Sequence, residues 1–223
     1  MPGQARIVIP DIPHHITQRG NYRQDVFEEE SDYALYCSWM NQYAEKYGLD
    51  ILAYCLMSNH VHFIVVPRDA GSLARVFNTV HMRYAQHINR RHAARGHLWQ
   101  GRFFSCFMDT DHLYHAIRYV ERNPVRAGVC KNARDYRWSS ARIHCGGKTD
   151  GEPIAVDISE FAMDSRQWRE YLRSEEEQML DELRLKTQRG LVIGSHGFVK
   201  RLEKKLRHSL VCLNPGRPKK KNR

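Results

Sequence analysis

The sequence predicts an α+β fold, with antiparallel strands and packed helices in a main domain and further helices and a basic tail after it. Three observations lead there. Two β-rich runs, residues 50–57 and 60–66, are separated only by the polar pair Ser58-Asn59, which is hairpin spacing. Residues 31–47 and 72–88 repeat apolar side chains with helical period. Beyond Gly146, Gly147, Gly151 and Pro153 the pattern weakens and then turns charge-dense, marking a change of organisation.

The elements follow in order. β-branched residues in ARIVIPDIPHHITQRGN predict a first strand over 13–19, closed by the turn at Gly20-Asn21. Leu35, Tyr36, Trp39, Met40 and Tyr43 define the first helix, with Ser31 as N-cap and Gly48 as stop. The hairpin comes next, and Pro67 ends its second strand. Ser72 caps a long second helix whose stripe is Leu73, Val76, Phe77, Val80, Tyr84 and Ile88, ending in the arginine-rich stretch 89–95. A loop over 96–104 carries Trp99, Arg102 and Phe103. Asp109 or Thr110 caps a third helix that runs to about Asn123, since Pro124 disfavours helical geometry for the residue before it. We place a main domain at 1–147, a helical extension at 148–211 and a flexible basic tail at 212–223. In the extension, residues 165–188 read as surface helices and 196–211 as another short helix.

Composition narrows the function. The 223 residues, 42% hydrophobic and 27% charged, suit one main core plus an appendage. No apolar run approaches the ~20 residues of a bilayer span, and the opening segment lacks a long apolar stretch, so we expect a cytoplasmic, nucleoid-associated protein with no membrane partner. Six scattered cysteines without a CxxC pair suggest neither a zinc knuckle nor a disulfide framework. The net charge of +10 is unevenly distributed: −4 over 1–67, +9 over 68–145, −4 over 146–199 and +9 over 200–223. Of the 14 basic residues in the second block, 13 are arginine, the better phosphate fork, so nucleic acid is the expected partner class.

The chemistry centres on LMSNHVHFIVV. His60 and His62 lie at i and i+2 of a strand, so both imidazoles share one face while Val61, Phe63 and Val65 take the other. With 13 histidines in the chain, roughly 0.75 such triplets are expected by chance, so the triplet alone says little. The third helix adds to it. Leu113, Ala116, Ile117 and Val120 form its apolar face, and His112, His115, Tyr119 and Asn123 fall on a neighbouring polar stripe that places Tyr119 off the core. If that stripe meets the histidine face, two imidazoles and an amide oxygen can hold a divalent cation with a phenol alongside as nucleophile.

The runs MSNHVHFIV, LWQGRF, YVERNPVRAG and YRWSS resemble the single-tyrosine transposases of the IS200/IS605 type, and most closely the REP-associated tyrosine transposases (RAYTs), a branch of the HUH endonucleases. The resemblance spans roughly residues 10–145. It implies a ferredoxin-like antiparallel sheet with helices packed on it and the His-x-His strand central. It also implies that Tyr119 is the nucleophile, that His60, His62 and Asn123 bind Mg²⁺ or Mn²⁺, and that the substrate is single-stranded DNA with hairpin-forming, REP-like repeats. The implied activity is metal-dependent cleavage and rejoining through a 5′-phosphotyrosine, whose ester conserves the phosphodiester energy that a water nucleophile would discard.

Candidate DNA contacts are Arg19 and Asn21 at the first turn, Trp99, Arg102 and Phe103 in the loop, Arg122 and Arg126 around the Asn-Pro pair, and Arg217 in the AT-hook-like NPGRPKKK tail. Trp99 and Phe103 can equally fill the core edge, and His14, His15, His112 and His115 read as solvated. Two other functions stay open: a non-catalytic DNA-binding or regulatory protein that keeps the transposase fold, and a metal-dependent phosphodiesterase without a covalent intermediate. Monomer and homodimer are both compatible with the sequence.

Overall fold

The computed structural model describes residues 7–149, 151–159, 161–174, 183, 185–187, 189–207 and 209–210. Its frame is a four-stranded sheet in the order β2-β3-β1-β4, made of β1 (His14–Arg19), β2 (Leu49–Met57), β3 (His60–Pro67) and β4 (Phe104–Phe107). All three pairings are antiparallel. Helix α1 (Glu30–Tyr47) joins β1 to β2, and α2 (Ser72–Arg91) joins β3 to β4. The chain order β-α-β-β-α-β with β3 and β1 central is the ferredoxin-like arrangement. The His-x-His strand is internal, as the family resemblance implies.

Alternation along β3 divides the sheet's two faces. Val61, Phe63 and Val65 join Leu73, Val76, Phe77, Val80 and Tyr84 of α2 and Tyr36 and Met40 of α1 in one buried cluster. Every residue of the expected α2 stripe is buried. On the other face Ile64, Ala53, Cys55 and Cys106 pack under α3 (Thr110–Glu121), which Asp109 caps through the backbone N–H of His112. Gly48 ends α1 at φ 62, a conformation that glycine adopts without steric cost.

Several local expectations change. The N-cap of α1 is Glu29, in a reciprocal pair with Asp32, not Ser31. The loop after α2 ends in a real strand, β4, too short to register as alternation. Pro124 does not end the helical region. The chain breaks at Arg122 (φ −85, ψ 1) and restarts as α4 (Asn123–Arg126), with proline in the first turn where its missing N–H is harmless.

Where it is described, the extension packs onto the core; much of the surface-helix stretch expected over 165–188 lies outside the described residues. After α5 (Ala141–His144), α6 (Ser165–Tyr171) buries Trp168 against the α3 side of the core, and Leu172, Leu183 and Ile193 join the same cluster. Both sheet edges are also covered. The Trp138 carbonyl accepts from Leu56 N–H (2.9 Å), and Ser140 N–H donates to the Tyr54 carbonyl (3.0 Å), capping β2. At β4, Ile193 N–H donates to the Phe107 carbonyl at 3.0 Å. Helix α7 (His196–Leu206) packs Leu202 against Ile9 and Phe107. Position 147 therefore marks a change in sequence character without a break in packing. Among the described residues, no helix is long and apolar enough to cross a membrane.

Candidate active site

The β1–β3 register places Thr17 opposite His62 and Arg19 opposite His60, so His15, Thr17 and Arg19 share the face that carries the two histidines. Helix α3 brings Tyr119 to that face. Its ring meets His62 edge-on at 5.6 Å and His15 at 5.7 Å, and His60 and His62 are 5.0 Å apart. These groups line one cavity of about 730 Å³, with Asn123, Arg126, Gln100, Phe104 and Thr187 on its walls. Phe104, 46% exposed, offers a ring face beside it. A second cavity of about 700 Å³ is lined by Asp11, Asp50, Asp109, Asp111 and Asp157, and that carboxylate charge suits a polyanion poorly.

Tyr119 is only 6% exposed. Helical period predicts it on a polar stripe, but Tyr119 shares a buried cluster with Trp168, Leu172 and Leu183 and sits at the cavity wall. Asn123 reaches the same cavity, and the two histidines of that stripe point elsewhere. The His112 ring is held by the Asp109 carboxylate, and His115 lies against Arg118 and Tyr171. Arg126 stacks its guanidinium 4.3 Å over the Tyr119 ring and donates to the Tyr119 carbonyl at 2.6 Å.

Hydrogen bonding settles which histidine nitrogens face the cavity. Asn59 donates its amide N–H to the Arg23 carbonyl (3.3 Å), which turns its amide oxygen toward His60 Nδ1 at 2.6 Å. The oxygen can only accept, so His60 Nδ1 carries the proton and Nε2 keeps its lone pair. His62 Nδ1 is engaged by His15 Nε2 at 2.9 Å, leaving His62 Nε2 as the outward atom. Burial, then the Arg19 charge, lowers the His60 pKa to about 4, and burial, then the charges of His60 and His15, holds His62 well below its usual range. Both rings are neutral near pH 7. The Asn123 side chain hydrogen-bonds to His60.

The donor set suits a divalent cation: two neutral imidazole nitrogens and an amide at one cavity, with room for water or phosphate oxygens. Among the described residues no group of three or more His, Cys, Asp or Glu side chains is arranged to hold a metal ion, and Asn123 is one of the oxygen-bearing side chains on the cavity wall.

The DNA-contact candidates divide. Arg19 and Arg126 line the cavity. Asn21 lies at the adjoining turn, where its N–H donates to the Leu98 carbonyl. Gly20 precedes it because any Cβ there would stand 2.3 Å from the Gln24 carbonyl oxygen. Arg102 is exposed in its loop. Trp99 and Phe103 are corrected: at 6% and 3% exposure they belong to the opposite core, Trp99 donating to the His81 carbonyl and Phe103 packing on Phe77. Arg122 turns away as well, donating to the Leu172 carbonyl in a different pocket lined by Lys131, Arg134, Arg169 and Arg173. Arg217 and the tail over 212–223 lie outside the described residues. His15 and Thr187 were missed. Strand alternation in HHITQR carries the signal for His15, whereas nothing local signals Thr187.

A ferredoxin-like sheet thus turns a tyrosine and two histidines toward an arginine-bordered cavity, whose positive rim suits a polyanion. The comparisons specify the protein further. The family profile "Transposase IS200 like" matches residues 9–123, and the chain belongs to that family, with the transposase-type DNA-binding function it carries. The fold is similar to that of a REP-associated tyrosine transposase solved with a REP hairpin, at 19% identity and a TM-score of 0.56 over 73% of this chain and 96% of the other. A chain from Deinococcus radiodurans R1 assigned as a transposase aligns at 17% identity and a TM-score of 0.38, over 57% and 95% of the two chains. The comparison with curated proteins returns no match.

Proposed function

We propose that this protein cleaves and rejoins single-stranded DNA at hairpin-forming, REP-like repeats, with Tyr119 as the nucleophile and a divalent cation, Mg²⁺ or Mn²⁺, held by His60, His62 and Asn123. The observation that carries the proposal is the meeting of Tyr119 with His60 and His62 in one arginine-bordered cavity. The hairpin substrate is carried over from the solved transposase that shares the fold.

The Tyr119 phenol oxygen attacks the scissile phosphorus. A Tyr–O–P ester forms on the 5′ side and the P–O3′ bond breaks; the phenol loses its proton and the departing 3′ oxygen gains one. Arg126, over the Tyr119 ring, sets positive charge where phenolate character develops, and Arg19 offers a phosphate fork at the cavity rim. The bound cation supplies charge neutralisation and orientation of the phosphate. Rejoining is the reverse attack by a 3′-hydroxyl, and it needs no external energy because the ester has conserved it.

Labelled single-stranded hairpin DNA incubated with the full-length protein and Mg²⁺ or Mn²⁺ is cut at one phosphodiester, leaving a free 3′-hydroxyl, and EDTA stops the reaction. Cleavage that persists in EDTA contradicts the metal assignment. Specific binding without any cleavage in either metal favours a regulatory DNA-binding role.

A further inference from the structure

The buried hydrogen bonds behind His62 extend past His15 into the C-terminal segment, far outside the family-matched residues. His15 Nδ1 lies 2.8 Å from the Thr187 hydroxyl, and that hydroxyl donates to the Leu183 carbonyl at 2.7 Å. A carbonyl has no proton to give, so the single Thr187 hydroxyl proton is committed to Leu183. Toward His15 the Thr187 oxygen can therefore only accept, and His15 Nδ1 must carry its proton. Cys106 Sγ, 3.0 Å from the same oxygen, must likewise donate. The Thr187 oxygen then gives one bond and receives two, its full capacity, at 1% exposure.

The direction propagates. His15, 1% exposed and carrying its proton on Nδ1, has a lone pair at Nε2. His62 Nδ1, 2.9 Å away, must donate to that lone pair. The His62 proton is thereby fixed on Nδ1, and its Nε2 lone pair faces the cavity that holds Tyr119. His60 reaches the same state through Asn59. The two rings present matching lone pairs by different routes, one local to the hairpin turn and one reaching 125 residues along the chain, from His62 to Thr187.

We propose that Thr187 is a positioning residue of the metal site, acting through His15 to lock His62 in the tautomer that ligates, so that the segment around Leu183 and Thr187 completes the catalytic centre. The inference rests on the assignment of His62 as a ligand. Removing the Thr187 hydroxyl frees His15 to move its proton to Nε2. It would then donate to His62 Nδ1 and shift the His62 proton to Nε2, where it blocks the ligating atom.

The test compares wild type, Thr187→Val and Thr187→Ser, all full length. Long-range ¹⁵N–¹H spectra of the metal-free protein near neutral pH report each ring's tautomer, and titration with Mn²⁺ alone reports affinity. Wild type and Thr187→Ser are expected to show His62 protonated at Nδ1. Thr187→Val is expected to show an Nε2-protonated population and Mn²⁺ affinity weakened about 10–100-fold, with an unchanged circular dichroism spectrum. Wild-type His62 protonated at Nε2 overturns the relay without any variant, so a Thr187→Val protein that fails to fold does not protect the proposal. An unchanged tautomer and affinity in folded Thr187→Val also overturn it. If the tautomer shifts while wild type binds no Mn²⁺, the hydrogen-bond relay stands and the metal reading fails instead.

Discussion

Tyr119 combines burial with access to a cavity, and that pairing is what its proposed role needs. Tyr119→Phe removes one oxygen and leaves the edge-on ring contacts with His15 and His62 unchanged. It is expected to lower cleavage by at least about 10³-fold while hairpin affinity, measured by anisotropy, stays within about twofold. Retained cleavage would move the nucleophile elsewhere. At this scale the sequence foretells which groups come together at one cavity, because His60 and His62 share a face by strand period and Tyr119 and Asn123 are one helical turn apart. It places the aromatics poorly. Trp99 and Phe103 sit among glycines and arginines as a stacking loop would, and only the packing of α2 behind them shows that they face the other core.

Among the elements, α3 determines where Tyr119 stands, and a buried polar clamp fixes its end. The Glu121 carboxylate oxygen Oε1 accepts from the Ser140 hydroxyl at 2.5 Å and from His144 Nδ1 at 2.6 Å, while Ser140 N–H bonds to the Tyr54 carbonyl of β2. Helix, sheet edge and α5 are thus tied at one carboxylate. Glu121→Ala strands two buried donors and is expected to cost about 2–4 kcal/mol in denaturant unfolding; Glu121→Gln keeps an oxygen in place and should cost distinctly less. Equal losses would mean that the oxygen is not what matters. The major helices and the hairpin were readable because their apolar repeats are long. Four-residue β4 shows no repeat, and α4 hides behind a proline that ordinarily announces a helix's end.

Over the whole molecule, the extension closes the core. A charge-dense sequence suggests surface helices, yet Trp168, Leu172, Leu183 and Ile193 pack in the cluster that holds α3, and Thr187 reaches His15. A fragment ending at 149 is therefore expected to be poorly soluble or markedly destabilised. A soluble, fully active fragment would show that the cover is dispensable. Such long-range closure leaves no local signal, which is why the fold's centre was legible and its rim was not. Acid stability is another whole-molecule property. Burial lowers His14 to about 4 and His15 and His81 to about 3, from 6.5. Below pH 6.5 the unfolded chain takes up protons that the folded protein refuses, so stability is complete above that pH. It falls by about 1.4 kcal/mol per pH unit for each histidine until the folded pKa is reached. Urea unfolding at pH 7 and pH 5 should show this loss; equal stabilities would mean that these rings take up protons in the folded state.

The central claim is that Tyr119 forms a covalent bond to DNA, and peptide mapping tests it most directly. Full-length protein is incubated with labelled hairpin DNA and Mn²⁺, denatured in SDS, digested with protease and nuclease, and analysed by mass spectrometry. The predicted result is an SDS-resistant adduct whose nucleotide mass sits on Tyr119 and disappears in Tyr119→Phe. Efficient cleavage with no adduct, or an adduct on another residue, would contradict the account.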